Sequence, residues 1–136
     1  MRIAFSSNAF RKYSLLETID ILADAGYKGI EIMCDVPHAY PPDLNKESIS
    51  GILQHLKERD MKISNLNAFM LTAIGDFHHP SWIEKDKAQR ELRINHTIGC
   101  VRLAAELGVA TISTEPGGPV DGMGMDRTEA MKLFID

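Results

Sequence analysis

The sequence predicts an α/β fold, the first four β-α units of a (β/α)₈ barrel of the TIM type. Three features carry that expectation. Short β-prone apolar runs alternate with apolar positions at helical spacing, in the order β-α-β-α-β-α-β-α. Such alternation makes a parallel sheet joined by right-handed crossovers. Each strand-like run turns polar at its C-terminal end, the end where a parallel barrel builds its site. Finally, the turn after the first run, Ser6-Ser7-Asn8-Ala9-Phe10, holds no glycine. A doubly wound dinucleotide-binding sheet, the other architecture with this order, would place a glycine-rich turn there.

The first strand is expected over Arg2–Asn8. Ser14-Leu15-Leu16-Glu17 then reads as a capping box, with the hydroxyl accepting from a backbone N–H and the Glu reaching back. Leu15, Leu16, Ile19, Leu22 and Ala23 follow at helical spacing until Gly26 stops the helix. The second strand spans Gly29–Cys34 and leads into a loop with Pro37, Pro41 and Pro42. Ile49, Ile52, Leu53 and Leu56 mark one face of the second helix. Met61–Asn67 forms the third strand, and a long loop runs from Ala68 to Pro80.

Ser81-Trp82-Ile83-Glu84 is expected to open the third helix with a second capping box, Trp82 stapling its start onto the core. Its apolar positions would be Ile94, Ile98, Val101 and Ala105, and Gly108 its end. The fourth strand is Val109–Thr114, followed by Glu115-Pro116-Gly117-Gly118-Pro119. Asp126-Arg127-Thr128-Glu129 opens a fourth helix that continues to Asp136.

The 136 residues suffice for one domain but fall short of the roughly 250 of a complete barrel. The chain is therefore expected to be truncated, or to complete itself by pairing with another copy as a homo-oligomer. A four-stranded half would otherwise expose two sheet edges and an inner face. Lys and Arg number 15 against 19 Asp and Glu, a net charge of −4 that disfavours a nucleic-acid surface. No apolar run nears the roughly 20 residues that span a bilayer, and the N-terminus reads as a strand, not a signal peptide. Cys34 and Cys100 are too few for a disulfide framework and lack metal-ligand spacing, which fits a cytoplasmic location. The sequon Asn95-His96-Thr97 lies within a helical pattern and reads as chance.

Strand parity selects the site candidates. With Ile30 and Ile32 toward the helices, Glu31 and Met33 face the barrel interior. With Ile112 outward, Thr111, Ser113 and Glu115 face inward. Asn65 and Asn67 share a face, although Ile63 shares it too. Ile3 and Phe5 outward would leave Asn8 inward at the mouth. Asn8, Glu31, Asn67 and Glu115 should thus converge on one rim, where carboxylates move protons or ligate a metal and amides hold sugar hydroxyls. Plainer roles stand beside these: an ion pair with Lys or Arg for Glu31, a solvated loop position for Glu115, and capping of strand ends for Asn8 and Asn67. His78 and His79 lie in the loop overhanging the mouth and suit a metal, a phosphate or a helix entry. Mid-helix His96 reads as structural, His38 and His55 carry no signal, and Cys34 either lines the pocket or fills the core.

Ala25-Gly26-Tyr27-Lys28-Gly29-Ile30-Glu31-Ile32 resembles the "G-(Y/F)-x-G-(I/V)-E" second strand of the xylose-isomerase-like barrel superfamily. That group holds sugar phosphate isomerases and epimerases, inosose dehydratases and endonuclease-IV-type repair enzymes. Leu103-Ala104-Ala105-Glu106-Leu107-Gly108-Val109 looks like its "A-x-x-L-G" helix end, and Glu115-Pro116-Gly117-Gly118 is similar to the "H-P-G" turn of the endonuclease branch. The resemblance covers the whole chain as the first four of eight units. It implies a metal-dependent isomerase or epimerase of a sugar, sugar phosphate or cyclitol, with Mn, Mg, Co or Zn as cofactor in the complete barrel. Strand parity and loop position make Glu31 and Glu115 the catalytic candidates, Glu115 also the candidate metal ligand, and Asn8, Asn67 and His78 the candidate substrate contacts. In the epimerase branch the main ligands and proton-transfer groups come from the last four strands, so this chain alone is expected to bind metal weakly. In the endonuclease branch, histidines stand at the positions of Asn67 and Glu115, and that departure argues against DNA repair. A non-catalytic half-barrel or oligomerising module is the alternative from a different class.

Overall fold

A computed structural model describes residues 3–118, 120 and 123–135. Its elements run β1 (Ala4–Ser6), α1 (Leu15–Asp24), β2 (Gly29–Met33), α2 (Lys46–Glu58), β3 (Lys62–Asn67), α3 (Lys87–Leu107), β4 (Ile112–Ser113) and α4 (Arg127–Ile135). Every strand pairing is parallel, and the sheet order is the chain order, β1-β2-β3-β4. A doubly wound sheet reverses its order at a switch point; these strands march in one direction, as the staves of a barrel do. The fold is thus part of a TIM-type barrel, as the alternation predicts. No helix among the described residues is long and apolar enough to cross a membrane.

The three large helices cover one face of the sheet. Leu15, Ile19 and Leu22 of α1, Ile49, Ile52 and Leu56 of α2, and Cys100, Leu103, Ala104 and Leu107 of α3 close over Ile30, Ile32, Cys34 and Leu66. Each fully buried aliphatic side chain in such a layer contributes about 1.5–3 kcal/mol. The Ser14 box forms as read: Glu17 N–H donates to Ser14 Oγ at 3.3 Å, and Ser14 N–H donates to Glu17 Oε2 at 2.8 Å. Gly26 and Gly108 take positive φ after α1 and at the α3 C-cap, as a helix stop requires. Gly29 has a different reason to be glycine, since a Cβ there would lie 2.9 Å from Ala4 Cβ and push β1 off β2.

Several expectations need correction. β1 is only Ala4–Ser6; a 3₁₀ turn follows over Ser7–Phe10, with Ser6 as its cap. Only half of the Ser81–Glu84 box forms, and on a turn: Ser81 N–H donates to Glu84 Oε1 at 2.9 Å, while Ser81 Oγ accepts from Ile83 N–H at 3.3 Å. Trp82 N–H is held by Pro116 O at 3.0 Å. α3 starts instead behind Asp86, whose carboxylate accepts from Ala88 N–H at 2.8 Å. Trp82 bridges to the far end of the chain rather than stapling a helix, its Nε1 donating to Thr114 Oγ1 at 3.3 Å and its ring meeting Phe134.

The α3 face also differs from the expected one. Ile94, Ile98, Val101 and Ala105 are exposed, and the buried row is Arg93, His96, Cys100, Leu103, Ala104 and Leu107. Two polar residues at the head of the buried row disguise it. On α1 and α2 the apolar stripes are narrower than read, because Leu16 and Leu53 are exposed. β4 is confined to Ile112–Ser113.

Parity holds on β2 and β4, where Ile30, Ile32 and Ile112 pack toward the helices. Phe5 pairs in register with Ile30, and its ring meets Tyr27 and Phe10 on that side. On β3 the conflict between Ile63 and the asparagines is settled by a bulge. Ile63 pairs with Ile30, but Asn65 pairs with Glu31, so Ser64 is an extra residue and the parity flips there. Ile63 thereby packs on the helix side while Asn65 and Asn67 face the other way.

Candidate functional site

The face of the sheet away from the helices is polar at its C-terminal edge. Glu31, half-buried on β2, sits at its centre. Asn65 Nδ2 donates to Glu31 Oε2 at 2.8 Å and to Ser113 Oγ at 2.9 Å. Asn67 Nδ2 reaches Glu31 Oε1 at 3.5 Å, while its own Oδ1 accepts from Phe69 N–H at 3.0 Å. One hydrogen-bonded row therefore crosses from β2 over β3 to β4. The Lys or Arg partner considered for Glu31 is not what it meets; its partners are side-chain amides. Asn67 caps the strand end, the plainer role considered for it, and also reaches Glu31. Toward the C-terminal edge from this row, Met33 packs with Phe69 and Met70 in a small second cluster.

The rim is held by two buried charged residues that parity does not flag. Asp35 is fully buried just past β2 and grips the loop after β3, accepting from Thr72 N–H and Thr72 Oγ1 at 2.6 Å each and from Ala73 N–H at 3.0 Å. Arg11 donates to the same Thr72 hydroxyl at 3.2 Å. Arg93, fully buried on α3, ties the loop from the other side. It donates to Pro80 O at 2.9 Å, to Ala68 O at 3.0 Å and to Phe69 O. Buried charges persist where every polar atom finds a partner, and here the partners are loop carbonyls and amides. Asp35 carries a faint sequence signal, an acid where β2 turns polar. Arg93 carries a better one, a lone cation in register with Cys100, Leu103 and Leu107.

The remaining expected residues scatter. Asn8 lies half-buried in the turn after β1; Ser6 rather than Asn8 does the capping, and Asn8 Oδ1 is buried without a hydrogen-bond partner. His78 packs against the glycine turn after β4, where a Cβ on Gly118 would stand 2.7 Å from the ring; its Nδ1 is buried and also lacks a partner. His79 Nδ1 pairs with Glu84 Oε1 at 2.6 Å, which raises the His79 pKa above its ordinary value. Backbone N–H groups of His78 and His79 hold the Asp76 carboxyl below the usual range. Glu115 is exposed and makes no hydrogen bond or ion pair among the described residues. No three His, Cys, Asp or Glu side chains among the described residues converge as metal ligands. Pro119 lies outside the described residues, as do Arg2 and Asp136.

The family model described as xylose isomerase-like TIM barrel matches residues 19–136. The chain belongs to that family. An AP endonuclease of family 2 from Brucella melitensis is similar in structure, with TM-score 0.64, 21% identity, and coverage of 99% of this chain and 47% of that one. A 3-keto-D-glucoside 4-epimerase from E. coli, in its apo form, gives TM-score 0.65 and 16% identity over 98% of this chain and 48% of that one. A fusion of a xylose isomerase-like TIM barrel with 4-hydroxyphenylpyruvate dioxygenase gives TM-score 0.60 and 15% identity, covering 98% and 20%. The chain thus spans about half the length of the first two structures. At these identities the likeness is one of fold. No curated relative matches the chain.

Proposed function

We propose that this chain supplies half of the mouth of a cytoplasmic isomerase or epimerase acting on a sugar, sugar phosphate or cyclitol. The observation that carries the reading is the Glu31–Asn65–Ser113 row with Asn67 beside it. One carboxylate among neutral amides and a hydroxyl offers both acceptors and donors, the pattern vicinal hydroxyls need. Glu31 would accept from a sugar hydroxyl with its remaining lone pairs, and Asn8 and His78 hold unpaired buried atoms that a ligand could meet. The sugar epimerase among the structural neighbours supports the direction of the reading. The resemblance to the endonuclease branch implies a histidine where Asn67 stands, and an amide is a poor zinc ligand, so the reading does not extend to DNA repair.

Glu115 by itself does not make a metal site. Among the described residues no group of three His, Cys, Asp or Glu side chains stands as a ligand set. A divalent ion of the Mn, Mg, Co or Zn kind therefore belongs in this proposal to the complete barrel, with Glu115 as one ligand. The test is solvent exchange in the protein that carries the complete barrel. In D₂O with a divalent ion, deuterium should enter a keto-sugar or ketose at the carbon beside its carbonyl. Glu31→Gln should lower kcat/KM by roughly 10–100-fold, the loss expected when a charged acceptor goes. Absence of exchange across ketoses, their phosphates and inososes would sink the reading.

A second reading, an oligomerising half-barrel, is favoured by one observation. Ile98, Val101, Met131, Phe134 and Ile135 leave apolar surface exposed on α3 and α4. Light scattering on the purified chain decides it, a dimer supporting the reading and a monomer removing it.

A further inference from the structure

Cys34 and Cys100 come from opposite layers, Cys34 directly after β2 and Cys100 from the middle of α3. Both are free and both are completely buried in the same core cluster, where each thiol shifts the ionisation of the other. One helical turn before Cys100, His96 points its Nε2 at the Cys100 sulfur from 3.5 Å. The other ring nitrogen of His96, Nδ1, is buried without a partner, and the ring stacks on Tyr40 at 6.0 Å. A buried cysteine with only apolar neighbours is inert, but Cys100 has the His96 ring beside it within the core. Arg93 lies on the same stripe of α3, and Asp35 and Glu31 lie on the Cys34 side.

We propose that Cys34 and Cys100 are a redox-modifiable pair, with Cys100 the nucleophile that a hydroperoxide oxidises first and Cys34 the thiol that closes an intramolecular disulfide. Geometry assigns the roles: His96 Nε2 lies 3.5 Å from the Cys100 sulfur, whereas the Cys34 sulfur has the Ile32 carbonyl as its partner at 4.0 Å. The neighbouring Cys34, then His96 and Arg93, bring the Cys100 thiol down to about 6 against the effect of burial. Cys100, together with burial, pushes the Cys34 thiol up. The more acidic thiol attacks and the other follows.

Access is through a groove of about 340 Å³ whose lining includes Tyr40, Pro41, Leu71, Ile74, Leu92 and His96. Its walls are mostly apolar, so a neutral peroxide enters more readily than an anionic oxidant, and it meets His96 with Cys100 behind. The Cys100 thiolate takes one peroxide oxygen, the O–O bond breaks, and hydroxide leaves to become water with a proton from the site. Cys34 then displaces water from the sulfenic acid as the S–S bond forms. In sum two thiols lose two electrons and two protons, and one peroxide becomes two waters. The disulfide would fasten the residue beside Asp35 to the helix that carries Arg93, the two groups that hold the loop after β3.

The test uses the reduced chain and hydrogen peroxide at a few equivalents, followed by non-reducing peptide mapping with alkylation of free thiols. A Cys34–Cys100 linked peptide, with the monomer retained, is the expected result. Cys34→Ser should give a dimedone-trappable sulfenic acid at Cys100, and Cys100→Ser should leave Cys34 unoxidised at the same dose. His96→Gln should slow disulfide formation about tenfold with both cysteines in place. Because the wild-type map needs no variant, misfolding of a variant leaves the proposal testable. Two thiols that stay reduced in the folded chain yet oxidise on denaturation would overturn it, as would first oxidation at Cys34 or linkage only between chains.

Discussion

The two faces of the sheet differ in what their side chains do. The helix-facing side carries Ile30, Ile32, Leu66 and Ile112 under three helices, in one continuous apolar core. The opposite side carries Glu31, Asn65, Asn67 and Ser113 in hydrogen bonds, with only Met33, Phe69 and Met70 as an apolar cluster. Neighbouring residues on one strand thus answer to different physics, burial on one side and hydrogen-bond geometry on the other. Stability and recognition should separate residue by residue along β3.

Leu66→Ala tests the first side and carries the largest expected effect. Leu66 is fully buried between the layers, and deleting such a side chain costs about 2–5 kcal/mol when the cavity cannot collapse. A urea melt should show that loss as a lower midpoint with little change in slope. Asn65→Ala, one residue away, should cost less than about 1 kcal/mol, because it removes hydrogen bonds that are only partly buried. Its effect should appear in sugar binding, since Glu31 loses its shorter amide partner. Equal stability losses at the two positions would erase the distinction between the faces.

Arg93→Met lies between these extremes and sharpens the comparison, because Arg93 belongs to the core side yet serves the rim. Three loop carbonyls lose their donor, at about 1.5–3 kcal/mol for bonds from a charged group. The loss should be local: amide exchange should quicken in residues 68–80 and stay unchanged in α1. A uniform increase over the whole chain would show that Arg93 supports the core rather than the loop.

The helix-facing side was largely legible in the sequence, because burial leaves a periodic trace. The Ser14 box, Gly26, Gly108 and the inward and outward residues of β2 and β4 follow from period and parity alone. The failures share a cause, contacts from distant residues that no local period records. Ser81–Glu84 has the letters of a helix start, but it is a turn tied to distant Pro116 through Trp82, and the helix begins behind Asp86. Arg93 and His96 break the apolar stripe of α3 because their polar atoms are used by loop and thiol partners, so the eye moves to Ile94 and Ile98. On the polar side, Glu31 and Asn67 could be found, since strand ends mark them. Asp35 could not be weighed, because its partners Thr72 and Ala73 lie more than thirty residues away.

The smallest effect expected is a pH response of the rim loop. His79 has its pKa raised above 6.5 by the hydrogen bond from its ring to Glu84. A group whose folded pKa is raised stabilises fully below the unfolded value and loses that contribution as pH rises through the folded one. Asp76 works in the opposite sense: held below 3.8 by the backbone N–H groups of His78 and then His79, it contributes above that value and loses its effect only as acid brings the pH through the lowered one. The window just above 6.5 therefore belongs to His79. Its side chain is 46% exposed, so solvent screening keeps the effect to about 0.5 kcal/mol or less. Trp82 is the single tryptophan of the chain and sits within the turn that Glu84 closes. Its fluorescence should titrate with a midpoint above 6.5 in the native chain, toward a more mobile indole at higher pH. His79→Gln should flatten that titration while leaving the urea midpoint nearly unchanged. A titration that survives His79→Gln would assign the response to another group and remove the His79–Glu84 pair from the account of the loop.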